Sequence, residues 1–115
     1  MKSLAFTVAA LGVLALGLPG TATAATPFEV CSPLGCAAQS VRGTVDPGQL
    51  VVTLTDRSPV SALTARFAVS PQGVVTQVTV DDGVRRAMVR LPAGARQLTV
   101  TACGGGGCNS KSIPL

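Results

Sequence analysis

The chain has 115 residues, 9 basic and 5 acidic side chains, three phenylalanines, and no histidine, tryptophan or tyrosine. So few aromatics and so thin a positive charge exclude a basic, base-stacking nucleic-acid binder. The lack of histidine removes the commonest general base.

The first residues have the layout of a cleavable export signal. Lys2 is the positive start, Leu4 to Leu18 is an uncharged apolar run, and Pro19-Gly20 ends the helix that such a run forms. Ala22-Thr23-Ala24 then places small residues before Ala25. The expectation is a signal-peptide helix over residues 1–24, cut after Ala24. The alternative, a membrane anchor, needs about 20 apolar residues, and this run is shorter. Cys31 lies too far downstream for a lipoprotein anchor. After cleavage, 8 basic residues face 5 acidic ones, a net +3. Arginine in place of lysine, with abundant alanine, glycine and valine, points to a GC-rich bacterial genome.

Past residue 25 the period is two, punctuated by Gly, Pro and Asp. A looped segment, 25–37, precedes the β region, 38–115. Val41, Gly43 and Val45 alternate with Arg42 and Thr44, and Asp46-Pro47-Gly48 turns the chain. Leu50, Val52 and Leu54 form the next inward row, and 56–60 reads as a loop. Leu63, Ala65, Phe67 and Val69 follow, then a turn at Pro71-Gln72-Gly73. Val74, Val78 and Val80 share a face with Thr76. Asp81-Asp82-Gly83 reads as a hairpin turn. In the strand from Val84 to Leu91, the residues Ala87, Val89 and Leu91 face the core. Arg86 and Arg90 project outward, ~13 Å apart. Pro92-Ala93-Gly94 turns again, Leu98 to Ala102 alternate, and Gly104 to Gly107 reverse the chain into a last strand. Pro114 confines that strand to an edge. About seven short strands at such spacing predict an all-β, antiparallel β-sandwich, with a small barrel as the alternative.

Cys31 and Cys36 enclose Ser-Pro-Leu-Gly, and Cys103 and Cys108 enclose four glycines. Both loops hold turn residues that bring their ends together, so the expected bridges are Cys31–Cys36 and Cys103–Cys108. Crossed pairings remain open from sequence. A four-thiolate metal site or a redox pair is the competing use, but the spacing is loose for zinc and is not the C-x-x-C of redox motifs. No metal or cofactor is expected.

The segments Val41-Arg42-Gly43-Thr44-Val45-Asp46-Pro47-Gly48 and Arg96-Gln97-Leu98-Thr99-Val100-Thr101-Ala102 resemble the opening and penultimate strands of bacterial Ig-like domains. The resemblance spans roughly 38–115. It implies a sandwich with an extracellular structural or adhesive role. The chain departs from antibody-type domains in lacking the core Trp and its flanking cysteines. The Cys103–Cys108 loop also resembles one disulfide loop of the neocarzinostatin family of small-molecule carriers, although the other cysteine pair lies elsewhere and few aromatics are present to line a cleft.

No catalytic constellation is visible. Glu29, Asp46, Asp56, Asp81 and Asp82 are the acids beyond residue 24; Asp46, Asp81 and Asp82 read as turn formers, and no Gly-x-Ser-x-Gly occurs. The expectation is a secreted, non-enzymatic module, free in the medium or held at the cell wall. It would bind an extracellular protein or wall polymer, and neither nucleic acid nor, once cleaved, membrane. Candidate contacts are an anionic-partner patch of Arg86 and Arg90, and the loop residues Leu34, Gly105 and Gly106. Alternatives are a small-molecule carrier, or an inhibitor of an extracellular hydrolase presenting Ser32-Pro33-Leu34-Gly35.

Overall fold

A computed structural model describes residues 25–115. The expected signal peptide, 1–24, lies outside the described residues. Eight strands follow in order: β1 (Thr26–Cys31), β2 (Gln39–Asp46), β3 (Gln49–Asp56), β4 (Leu63–Ser70), β5 (Val74–Val80), β6 (Gly83–Arg90), β7 (Gln97–Gly104) and β8 (Gly107–Pro114). Valine and threonine dominate these segments, where branching at Cβ suits the pleated sheet. The strands form two four-stranded antiparallel sheets, ordered β1-β2-β3-β6 and β5-β4-β7-β8. No ladder joins β1 to β8 or β5 to β6, so the sheets stay open and the barrel alternative falls away.

Alternation aims one face of each sheet at a shared core. Leu50, Val52 and Leu54 of β3 and Ala65 and Phe67 of β4 are fully buried, and Val100 of β7 joins them. This two-layer, β-sandwich-like packing is the general all-β solution for burying one face per sheet.

The structure corrects the sequence reading in two places. The strand count is eight, because Thr26–Cys31 pairs with β2 and buries Phe28 and Val30. The 81–82 turn is not a hairpin: β5 pairs with β4 and β6 with β3, so the turn carries the chain between sheets. There Asp82 adopts φ 67° and donates its N–H to the Asp56 carboxylate of β3, which draws the chain across. Val74, Thr76, Val78 and Val80 share one face as expected, opposite Val69, Phe67, Ala65 and Leu63; Val74 is nevertheless 44% exposed, because it begins an edge strand beside the 71–73 turn.

Candidate functional site

Strand direction brings four connections to one end of the molecule, hereafter the apex: 32–38, 57–62, 81–82 and 105–106. Both disulfides are there, pairing Cys31 with Cys36 and Cys103 with Cys108. Cys103 and Cys108 stand directly opposite in the β7–β8 register. The local pairing expected from the loop sequences is therefore the one present. No free cysteine remains, a pattern that fits an oxidising compartment.

The two clasped loops touch each other. Gly105 and Gly106 have φ of 65° and 85°, the left-handed pair that a tight two-residue hairpin demands. Close approach also excludes side chains here. A Cβ on Gly104 would overlap the Gln39 carboxamide, and one on Gly105 would lie 2.6 Å from Leu34 Cδ2. Pro33 and Leu34 thus rest on the glycine turn. Asn109 Nδ2 adds a hydrogen bond to the Cys31 carbonyl, 2.9 Å. Of the expected loop contacts, Leu34 and Gly105 come together, while Gly106 faces open space.

Beneath these loops runs a chain of buried polar groups. Gln39 is 0% and Asp56 1% exposed, and the two are register partners on β2 and β3. Gln39 Nε2 donates to Asp56 Oδ1 (3.1 Å) and to the Ser61 carbonyl (3.0 Å). Gln39 Oε1 accepts from Ser32 Oγ (2.6 Å), whose oxygen in turn accepts from the Leu34 N–H (3.2 Å). Asp56 further accepts from the backbone N–H of Ser58 (2.9 Å) and of Asp82 (3.2 Å). Burial disfavours the charged carboxylate, but the hydrogen bonds from Gln39, Ser58 and Asp82 outweigh it and hold Asp56 below the ordinary value. Its oxygens are committed to the fold, so Asp56 organises three connections rather than offering a base to a substrate.

The loop Ser32-Pro33-Leu34-Gly35, expected to be presented to a partner, is corrected at its first residue: Ser32 is 2% exposed because its hydroxyl donates inward to Gln39, which leaves Pro33 and Leu34 as the exposed part. Sequence reasoning passed over the structural parts played by Ser32, Gln39 and Asp56. For the last two a signal existed. The inward parity of Val41 and Val45 extends back to Gln39, and that of Leu50, Val52 and Leu54 extends forward to Asp56.

Above this scaffold the apex presents apolar surface. Leu34 is 42% exposed and Val60 84%. Glu29, Cys31 and Cys36 cluster nearby with ligand atoms within 4.8 Å of one another. The two sulfurs are consumed in a disulfide and Glu29 pairs with Arg42 at 2.6 Å, so this trio offers no thiolate to a metal.

Arg86 and Arg90 lie elsewhere. Both are exposed on the outer face of β6, flanking Met88, and neither joins the apex loops. At the opposite end, a half-open depression of about 420 Å³ is lined by Val45, Pro47, Leu91, Pro92, Ala95 and Leu115, among others.

Fold and site together define an all-β protein with two antiparallel sheets, clamped at one end by two local disulfides. Comparison with family models, curated proteins and solved structures gave no significant match. No helix among the described residues is long and apolar enough to cross a membrane.

Proposed function

We propose that the chain is an exported bacterial, non-enzymatic binding module of the Ig-like β-sandwich type, and that its apex contacts a protein partner. The order in which the strands cross between sheets supports the Ig-like assignment. The β4–β5 hairpin intervenes before β6 returns to β3, and β7 then returns to β4, a Greek-key pattern. The observation that carries the binding reading is the apex itself. Two clasps and one continuous hydrogen-bond chain hold Leu34 and Val60 on a fixed surface. A surface ordered before binding loses less entropy on contact. An extracellular hydrolase is one candidate partner, with Pro33 and Leu34 as its contact.

The test uses the oxidised, processed domain and proteins from its native culture. Wild type is expected to retain a specific partner. The Leu34→Asp/Val60→Asp pair, checked by melting for an intact fold, is expected to lose it about tenfold or more. Val60→Asp alone, at the more exposed position, serves as the variant least able to perturb folding. Equal retention by a folded variant, or chemical turnover of the partner, contradicts the reading.

The depression at the opposite end favours one second reading, a carrier of a small apolar molecule in the manner of the neocarzinostatin family. Its volume is within the usual range of ligand pockets. A co-purifying compound in the native mass spectrum would decide for it.

A further inference from the structure

We infer that β6 is a strand-addition edge for an extended acidic peptide, an inference that deepens the binding-module reading at a surface separate from the apex. β6 ends its sheet, so one side of it is unpaired. The Leu91 N–H donates to the Gly48 carbonyl at 3.0 Å, directly continuing the β3–β6 register. Counting back by twos, residues 89, 87, 85 and 83 direct their backbone groups at β3. Val84, Arg86, Met88 and Arg90 therefore aim their N–H and C=O groups at the open side.

The same four residues project their side chains from the outer face. Val84 is 65% and Met88 68% exposed, and both arginines are exposed. An antiparallel strand laid along this edge would pair its backbone with these four residues and set its own side chains opposite theirs. The positions facing Arg90, Met88 and Arg86 would then be spaced by two. The complementary segment reads acid, any, apolar, any, acid.

Three further observations single out this edge and this charge. Among the described residues the only ion pair is Arg42–Glu29, so no carboxylate neutralises Arg85, Arg86 or Arg90. The neighbouring edge, β5, is partly closed, because Arg85 donates from its guanidinium to the Thr79 carbonyl at 2.8 Å. β6 also lacks proline, whereas β1 carries Pro27 and β8 carries Pro114.

The probe is the capped peptide Thr-Glu-Thr-Val-Thr-Glu-Thr-Val-Thr, long enough to face Val84 as well, added to the oxidised, isotope-labelled domain while amide exchange is followed by NMR. Exchange at Val84, Arg86, Met88 and Arg90 is expected to slow about tenfold or more at saturation, with Arg85, Ala87 and Val89 unchanged. Arg86→Glu with Arg90→Glu should lose this peptide and gain the version with lysine in place of glutamate. Three results would overturn the inference: unprotected amides at these four positions, equal binding of a backbone N-methylated peptide or of inorganic polyphosphate, or a β6–β6 dimer of the free protein. Retention of a partner at the apex despite unprotected β6 amides would refute the edge site alone and leave the module reading standing.

Discussion

Replacing Gln39 by alanine is expected to lower the unfolding free energy by roughly 2–4 kcal/mol, more than its size alone would suggest. The side chain is fully buried and serves three partners: Ser32 Oγ, Asp56 Oδ1 and the Ser61 carbonyl. Truncation strands those partners without water, and an unmet buried polar group costs more than a made bond contributes. The same change alters the pH response. Asp56 is held below its ordinary value in the folded state, so its contribution is complete above the unfolded value and is lost as pH falls through the folded one. Wild type should therefore weaken on acidification below about pH 4. The variant, lacking one bond to the carboxylate, starts weaker and loses less over the same range. Urea titrations of both proteins near neutrality and at about pH 3 check this. A cost below about 0.5 kcal/mol, within the range of ordinary surface changes, would show that the chain of polar groups is not structural.

Breaking both disulfides should cost about 4 kcal/mol, because each closes a six-residue ring worth roughly 2 kcal/mol in chain entropy. For a domain of this size that corresponds to a fall in melting temperature of roughly 15–30 °C. The Cys31→Ser/Cys36→Ser and Cys103→Ser/Cys108→Ser pairs should not act independently. Leu34, inside the first ring, rests against Gly105 inside the second, so loosening either loop loosens the seat of the other. Calorimetry on the oxidised, singly opened and reduced proteins measures both the sum and the coupling. Coincident melting of oxidised and reduced protein would remove the clasps from the account.

Much of this architecture was legible in the sequence because it is local. The alternation in Leu50–Thr55, Leu63–Val69 and Leu98–Ala102 marked strands, and the turn residues inside each cysteine loop marked the bridges. The outward placement of Arg86 and Arg90 followed from parity along one strand. What escaped notice depends on neighbours far away in the chain. β1 is short and opens on Thr-Pro, so its two inward residues, Phe28 and Val30, look like part of a disulfide loop until β2 pairs with them. The turn at 81–82 has hairpin residues, and it becomes a crossing between sheets because β6 pairs with β3 rather than β5, with the Asp56 carboxylate accepting from the turn. Gln39 and Asp56 look like strand-end polar residues, yet each is inward by parity and each is the other's partner. The glycine run looks like slack, whereas Gln39 and Leu34 occupy the space that side chains at Gly104 and Gly105 would need.

Hydrogen exchange at five loop amides is the most direct probe of whether the clasped end is rigid before anything binds it. The N–H groups of Leu34, Gly35, Arg57, Ser58 and Asp82 all have partners at this end, either in the 32–38 connection or on the Asp56 carboxylate at the end of β3. In the oxidised protein they should exchange on the timescale of the flanking strands, and should speed up in Gln39→Ala. Free-chain exchange at these positions, with the strands still protected, would mean a loose end on a stable sheet pair, contrary to the binding surface argued above.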